Sequence, residues 1–509
     1  MEKPVVRTKY GAYVGVEEDE VFSFKGVPYA KGPVGELRWK PPQPLGMSEE
    51  TFSAEDYGPA PVQPLYFEKE YVSRQPQSED CLSLNIWTRH PERSEAEEWG
   101  CPKENSYKRP VIVFVHGGAC LYGGSCDTLY DGQLFVKRND VVMVTVNYRL
   151  NAYGCMDLEE IGGPEYGFSK NLCLLDQIQA FRWVKENISL FGGDPNNVTA
   201  VGESAGGACV SLLMIMQEAK GLFGKAIVQS GSYSLLKREQ TKTFTKEAAM
   251  TFVKMTGADT MDELLALSRE EIDKTFDIFL EEYAPFADGI CMPVLDGKTL
   301  PKDPYKALED GAAEGIRMLI GSNSEEFNFW KLITPEFDQA IDEFFIPLHN
   351  VAKEDWEADV PIYEIYIEND HAGNILARKY QLANDLVFRD GSIAMAELQA
   401  KYGDTYMYSF EWQPVTGLGA YHGAELGFVF GTQDVVEELS GQMPEELIHS
   451  VQDAWASFAA TGDPGHSGIP KWPKYNNKKR ATMIIDQEWQ VREDIRKEDR
   501  VLLRPLIKI

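Results

Sequence analysis

A single serine, Ser204, stands where a β-branched run meets a run of small residues in VTAVGESAGGACVSLL, residues 198–213. The first part has the composition of a short buried strand, and the part after Gly207 that of a helix. Gly202 and Gly206 flank the serine in a G-x-S-x-G pattern, which suits a sharp strand-to-helix turn because glycine tolerates a crowded, strained backbone. Taken alone, the pentapeptide is compatible with an exposed nucleophile or with a tight turn that carries an incidental serine.

Other apolar runs along the chain resemble this strand, and helical stretches separate them. Several are continuous without polar alternation, which is typical of strands covered on both faces. Strands that alternate with helices predict an α/β protein with a mostly parallel, doubly wound central sheet. The predicted strands are residues 84–88, 111–116, 141–148, 198–202, 225–229, 317–321 and 405–410, and the helices include residues 174–187 and 208–216.

Two largely helical blocks interrupt this alternation, at about residues 235–300 and 333–400. In the first block, Thr260 with Glu263 and Ser268 with Glu271 are spaced as capping boxes. Strand signals resume after each block, so both are expected to be excursions that wall a pocket. Without an internal repeat or a low-complexity linker, residues 1–509 are predicted to form a single domain.

The charge balance excludes several classes of partner. With 50 basic against 80 acidic residues, the formal net charge is -30, which argues against nucleic acid and anionic membrane surfaces. No run approaches the roughly 18 apolar residues of a membrane helix. The N-terminal segment lacks the apolar region of a secretory signal, and the eight cysteines form no C-x-x-C pair. A cytoplasmic chain with buried free thiols is expected.

A nucleophilic serine needs a base, an acid that orients the base, and donors for the oxyanion. Among the seven histidines, His422 lies in a loop that follows a predicted strand, whereas His116 ends a strand and is favoured as structural. The small residues after His116 suit backbone donors. Between serine and histidine, the strand in MLIGSNSEEF runs into a loop that carries Glu325 and Glu326, at the functional edge of a parallel sheet.

At this point the sequence resembles the type B carboxylesterases, an α/β-hydrolase family that also includes the cholinesterases and bacterial para-nitrobenzyl esterases, and the bacterial members are the closest in pattern. The resemblance extends over nearly the whole chain. Its segments, in order, are FKGVPYA, ELRWKPP, SEDCLSLNIW, HGGA, VNYRL, GESAGG, KAIVQSGS, GSNSEEF, YHGAELGFVFG and WASFAATGDP.

The resemblance implies a serine carboxylesterase that hydrolyses esters of small to medium neutral substrates through an acyl-enzyme, without a metal or cofactor. It implies a triad of Ser204 as nucleophile, Glu326 as acid and His422 as base. The implied oxyanion donors are Gly118, Ala119 and Ala205. Glu203 lies beside the nucleophile in the sequence. Support of the triad residues and a simple contribution to packing are equally favoured roles for it. Arg38 with Glu79 and Arg149 with Asp176 match structural ion pairs of the family.

The sequence also departs from the family pattern. No cysteine precedes Cys81, so the disulfide that ends at this position in secreted relatives cannot form. Residues 57–77 contain no tryptophan, which cholinesterases use there to bind quaternary ammonium, and Tyr66, Phe67 and Tyr71 are weak substitutes. A choline ester specialist is therefore not expected. Cys120 replaces a frequent phenylalanine, which predicts a larger pocket.

Two alternatives remain at this stage. One is a non-catalytic binding or adhesion protein on the same scaffold, although such relatives typically lack a triad member. The other is a lipase, for which the sequence offers no exposed apolar lid. The sequence makes no prediction of the oligomeric state.

Overall fold

The computed structural model describes residues 3–64, 75–89, 108–236, 242–283, 291–333 and 374–507, with short pieces between residues 337 and 368. Its strands are β1 (Val5–Thr8), β2 (Gly11–Val14), β3 (Val16–Glu18), β4 (Val21–Pro28), β5 (Thr51–Ser53), β6 (Ala60–Pro61), β7 (Gln77–Ser78), β8 (Ser83–Arg89), β9 (Arg109–Val115), β10 (Val142–Val146), β11 (Gly193–Glu203), β12 (Lys225–Gln229), β13 (Arg317–Asn323), β14 (Thr405–Phe410), β15 (Ala481–Ile485) and β16 (Gln490–Glu493).

An 11-stranded mixed sheet, of order β16-β15-β14-β13-β12-β11-β9-β10-β8-β4-β3, forms the centre of the protein. Neighbouring strands pair in parallel along the series β15-β14-β13-β12-β11-β9-β10. The strands at the two ends, β8, β4 and β3 on one side and β16 on the other, pair antiparallel. The prediction of a mostly parallel sheet is confirmed. It follows from the β-branched residues of the central strands, which are buried on both faces of the sheet.

Helices lie along the chain between these strands. The α-helices are Gln133–Arg138, Asn151–Gly154, Glu159–Gly162, Leu172–Asn187, Ala205–Ile215, Lys242–Thr256, Met261–Ala266, Arg269–Tyr283, Pro304–Glu309, Trp330–Ile333, Ile375–Asn384, Asp390–Gln399, Ala424–Phe430, Gln433–Ser440, Glu445–Thr461 and Lys497–Leu503. A π-helical turn, Asp385–Arg389, joins two of them. Among the described residues, none of these helices has the length and apolar character needed to cross a membrane.

The sheet separates two hydrophobic cores. In β9, Val111 and Val113 belong to one core, and Ile112 and Phe114 belong to the other. This alternation is the consequence of a strand whose successive side chains point to opposite faces. A third, smaller core is built around Phe327 and helical residues after it.

Several predicted boundaries are corrected by the structure. The strand predicted to end at residue 148 ends at Val146, and the helix predicted to begin at residue 208 begins at Ala205, directly after the serine. The capping box of Thr260 and Glu263 is formed. The polar loop after residue 89 lies mostly outside the described residues.

Candidate active site

Ser204 occupies a strained turn between β11 and the helix Ala205–Ile215. Its φ of 56° and ψ of -125° fall in a region that residues with a Cβ rarely adopt. The two motif glycines allow this turn, since a Cβ on Gly202 would collide with the carbonyl of Gly206, and one on Gly206 with that of Val115. The serine is therefore held at the positive end of a helix and is only partly buried.

Glu326 and His422 come together from two loops that follow neighbouring strands. Nδ1 of His422 lies 2.7 Å from Oε2 of Glu326, and the backbone N–H of His422 donates to the carbonyl oxygen of Glu326 at 3.1 Å. The other carboxylate oxygen, Oε1, accepts the backbone N–H of Asn323 at 2.7 Å and the hydroxyl of Ser230 at 2.6 Å. Fully buried and held by these bonds, the carboxylate has a fixed orientation toward the imidazole.

Glu325, the other candidate acid, points elsewhere. Its Oε2 accepts the backbone N–H of Ala420 at 3.0 Å and the side-chain amide of Gln413 at 2.9 Å. Its own backbone N–H donates to the carbonyl oxygen of Ala420 at 3.1 Å. Glu325 thus fastens the loop that carries His422, while Glu326 contacts the imidazole itself.

The second ring nitrogen of His422 faces Glu203. Nε2 lies 3.3 Å from Oε1 of Glu203, whose carboxylate is buried beside the serine. Within the described residues, no hydrogen bond joins Ser204 Oγ to the imidazole. The structure therefore brings Glu203, His422 and Glu326 into contact, with Ser204 next to Glu203 in the chain.

Burial and charge act in opposite directions on His422. Burial by itself lowers the pKa of His422, but the carboxylates of Glu203, Glu326 and Glu425 outweigh it and raise that pKa to about 9. Burial raises the pKa of Glu203 to about 8, and the imidazole partly opposes this shift. Because Nε2 and Oε1 lie 3.3 Å apart, the titrations of His422 and Glu203 influence each other.

Three backbone N–H groups near the serine donate no hydrogen bond to the residues that the structure describes. Within the part of the chain that the structure describes, Gly118, Ala119 and Ala205 donate no backbone hydrogen bond. The loop that carries Gly118 and Ala119 runs beside the serine. A Cβ placed on the preceding residue, Gly117, would lie only 3.0 Å from the Cβ of Ser204. Gly118 and Ala119 have φ values of 97° and 54°, so this loop has an unusual backbone that frees amide groups.

His116, which precedes this loop, is fully buried and makes structural contacts. Its ring stacks on Tyr148 with centroids 4.5 Å apart, and the Tyr148 hydroxyl donates to the carbonyl oxygen of His116 at 2.8 Å. Burial lowers the pKa of His116 to about 4, so the ring is neutral at physiological pH. The contacts agree with a structural role.

Comparison with known proteins assigns the whole chain to a family. The family model described as "Carboxylesterase family" matches residues 2–502. The chain belongs to the carboxylesterase family. It is 36% identical to the para-nitrobenzyl esterase of Bacillus subtilis (strain 168), covering 99% of both chains. It is 32% identical to carboxylesterase 1E of Mus musculus, covering 92% of this chain and 87% of the relative.

Solved structures give the same result. A thermophilic PNB esterase superposes with a TM-score of 0.84 at 35% identity, covering 98% of this chain and 100% of that one. A carboxylesterase of Geobacillus stearothermophilus superposes with a TM-score of 0.83 at 34% identity, with the same two coverages of 98% and 100%. The α/β-hydrolase fold predicted from the motifs is confirmed, and this carboxylesterase is a carboxylic ester hydrolase.

Sequence reasoning missed two polar residues of the site. Ser230, with a φ of 47°, directs its hydroxyl at Glu326 from the end of β12. Glu425, fully buried in the helix after His422, accepts the side-chain amides of Asn323 at 2.6 Å and Gln229 at 3.1 Å. Burial, with Glu326 next, raises the pKa of Glu425. The only available signal was their position inside the family segments KAIVQSGS and YHGAELGFVFG.

Aromatic rings surround the imidazole of this carboxylesterase. The ring of Phe388, placed by the π-helical turn, is 4.8 Å from that of His422, and the rings of Trp330 and Phe329 are 5.3 and 6.2 Å away. Such rings lower the local dielectric around the His422–Glu326 hydrogen bond, which strengthens it.

The two ion pairs expected from the family are formed away from the triad. Arg38 binds both carboxylate oxygens of Glu79 at 2.6 and 2.5 Å, and Arg149 binds those of Asp176 at 2.8 and 2.7 Å. The aromatic substitutes in the loop without tryptophan, namely Tyr66, Phe67 and Tyr71, lie outside the described residues.

Proposed function

We propose that this carboxylesterase hydrolyses small to medium neutral esters through a triad of Ser204, His422 and Glu326. The observation that carries the proposal is the 2.7 Å contact between Nδ1 of His422 and the buried carboxylate of Glu326, beside a serine on a strained turn. That contact fixes the tautomer that leaves Nε2 free to accept a proton, and it stabilises the imidazolium formed later.

In the first half-reaction, His422 removes the proton of Ser204 as Oγ attacks the ester carbonyl carbon. The 3.3 Å separation between Nε2 and Glu203 is long for a hydrogen bond, so Nε2 can exchange this partner for Ser204 Oγ when substrate arrives. The carbonyl oxygen becomes an oxyanion that accepts hydrogen bonds from Gly118, Ala119 and Ala205. As the carbon–oxygen bond breaks, the alcohol leaves with the proton held by His422.

The second half-reaction repeats these steps with water. His422 removes a proton from a water molecule, which attacks the acyl carbon, and Ser204 leaves as a hydroxyl with that proton restored. The free carboxylic acid departs, and the site returns to its starting state. All of these roles are filled by this chain's own side chains and backbone amides, so neither a metal nor a cofactor takes part in the proposed scheme.

We also propose that the chain forms one domain and acts in the cytoplasm. In support of one domain, Phe252 and Ile272 of the first helical block belong to the same core as Val113 of the sheet. In support of the compartment, the described cysteines are free thiols, as a reducing environment keeps them.

Replacing the nucleophile tests the proposal. Ser204→Ala is expected to lower kcat for p-nitrophenyl acetate by about 10⁴- to 10⁶-fold. The melting temperature should stay close to that of the parent protein, because Ala at this turn retains the same backbone strain. A variant that keeps more than about a tenth of parental turnover would favour a non-catalytic or differently organised site. Comparing soluble p-nitrophenyl esters with emulsified triglycerides distinguishes an esterase from a lipase.

A further inference from the structure

Five cysteines cluster in one hydrophobic core, and the first of them, Cys120, follows Gly118 and Ala119 directly in the chain. The Sγ atoms of Cys120, Cys155 and Cys173 all lie within 4.8 Å of one another. Cys209 is near enough to Cys120, and Cys291 to Cys155 and Cys173, for their thiols to interact electrostatically. All five are buried in one hydrophobic core, where isolated cysteines commonly act as small apolar side chains.

The three mutually close thiols come from separate segments of the chain. Cys120 follows Ala119 directly, Cys155 follows the helix Asn151–Gly154, and Cys173 is the second residue of the helix Leu172–Asn187. The fold therefore brings three thiols from three separate segments of the chain to one place in the core.

Three sulfurs at this spacing form a convergent set of soft ligands. Three sulfurs that each bond one centre at about 2.3 Å lie about 3.5 to 4.0 Å apart, so shifts of about an ångström or less per sulfur close the set. Thiolates select soft, thiophilic centres over hard cations. Charge then discriminates among those centres, because an apolar interior penalises any uncompensated net charge.

We propose that Cys120, Cys155 and Cys173 form a binding site for trivalent arsenic. Arsenous acid is neutral, and its reaction with three thiols gives a neutral tris-thiolate and three water molecules. Three As–O and three S–H bonds break while three As–S and three O–H bonds form, and no atom changes oxidation state. A divalent zinc ion with the same three thiolates would leave one net negative charge in the core, and a monovalent copper ion two.

Binding at this site reaches the proposed oxyanion loop through Cys120. Ala119 and Cys120 have φ values of 54° and 55°, so their backbone has little freedom to absorb a pull on the Cys120 side chain. Arsenic bound to Cys120 is therefore expected to displace the Ala119 N–H and to lower esterase activity by at least about tenfold. This effect rests on the proposed function, whereas the binding does not.

Native mass spectrometry of the full-length protein, incubated with sodium arsenite, measures the binding directly. The parent protein and Ser204→Ala are expected to gain one arsenic atom with the loss of three protons, independently of catalysis. Cys155→Ala and Cys173→Ala should bind arsenic at least about 100-fold more weakly, because only two thiolates of the set remain. Cys81→Ala is the matched control, a cysteine buried in the same core outside the cluster, and should bind as the parent does.

Each result of this experiment has a defined meaning. The assignment is overturned if the parent binds no arsenic, or if both cluster variants bind it as tightly as the parent. It is also overturned if zinc chloride, tested in parallel, loads the cluster while arsenite does not. Melting curves identify a variant that fails to fold, and the other cluster variant then decides. If the protein binds one arsenic atom per chain and its esterase activity is unchanged, the proposed effect of binding on the oxyanion loop is overturned.

Discussion

Oε2 of Glu326 lies 2.7 Å from Nδ1 of His422, while the adjacent Glu325 accepts the backbone N–H of Ala420 instead. Two neighbouring carboxylates thus do different work. One contacts the imidazole that the proposed chemistry protonates, and the other holds the loop on which that imidazole stands. This difference predicts unequal effects when each carboxylate is replaced by the amide of the same shape.

Glu326→Gln is expected to lower kcat for p-nitrophenyl acetate by about 10²- to 10⁴-fold, because the amide can present an N–H where His422 needs an acceptor. Glu325→Gln should change kcat by less than about tenfold, since the amide oxygen still accepts the Ala420 N–H and only a charge is lost. Steady-state kinetics on both variants, with melting curves to check folding, measure the difference. The reverse order would assign the acid to Glu325.

The pH dependence of activity depends on Glu203. A general base must be neutral, and the surrounding carboxylates raise the pKa of His422 to about 9, so activity should rise with pH over the neutral range. At the pH where His422 titrates, Glu203 is ionised because its own pKa, about 8, is lower. Glu203→Gln therefore removes one negative charge beside Nε2 and lowers the pKa of His422. The midpoint of the kcat/KM profile is expected to move down by about one pH unit. Glu325→Gln serves as the control and should keep the parental midpoint; equal midpoints in all three proteins would refute this role of Glu203.

All eight cysteines are expected to be free thiols in the purified protein. Seven of them, all but Cys101, lie among the described residues and are buried without a disulfide. Titration with a thiol reagent after denaturation, without reductant and under protection from air, should count eight. On folded protein, the seven described thiols should react much more slowly, because burial blocks the reagent. A count lower by two or more would reveal a disulfide and contradict the predicted compartment.

Neutral esters are expected to be better substrates than choline analogues. Residues 57–77 supply no tryptophan for a quaternary ammonium group. The kcat/KM of neutral aryl and short alkyl esters should therefore exceed that of the thiocholine ester with the same acyl group. Moderate salt keeps the acidic surface from accelerating cation encounter. A higher kcat/KM for the thiocholine ester would contradict the predicted preference.

The central sheet was predictable because the residues within each of its strands form a recognisable apolar run. The strands Lys225–Gln229 and Thr405–Phe410 agree with the prediction at both ends, since each is an apolar run bounded by polar or turn residues. The edge strand Gln490–Glu493 was missed because all four residues are exposed and only one of them, Val491, is apolar. Such a strand exists through pairing with Ala481–Ile485, which no pattern within its own four residues reveals.

The candidate site was predictable to a similar depth. Ser204 and His422 stand in local contexts, a glycine-flanked turn and a loop after a strand, that the sequence displays. The bond from Ser230 to Glu326 joins residues 96 positions apart and depends on β12 and β13 being neighbours in the sheet. Strand order is a property of the assembled sheet, so the contact required the structure.

His422 is tied to Glu326 twice, once through side chains and once through the backbone bond from its N–H to the carbonyl oxygen of Glu326. The second tie is indifferent to which side chain occupies position 326. Position 326 could therefore be substituted with other side chains while the two loops keep their relative position. This property makes the protein a suitable scaffold for engineering new catalytic activities. The side chain at position 326 can change, whereas the backbone hydrogen bond that joins the two loops remains.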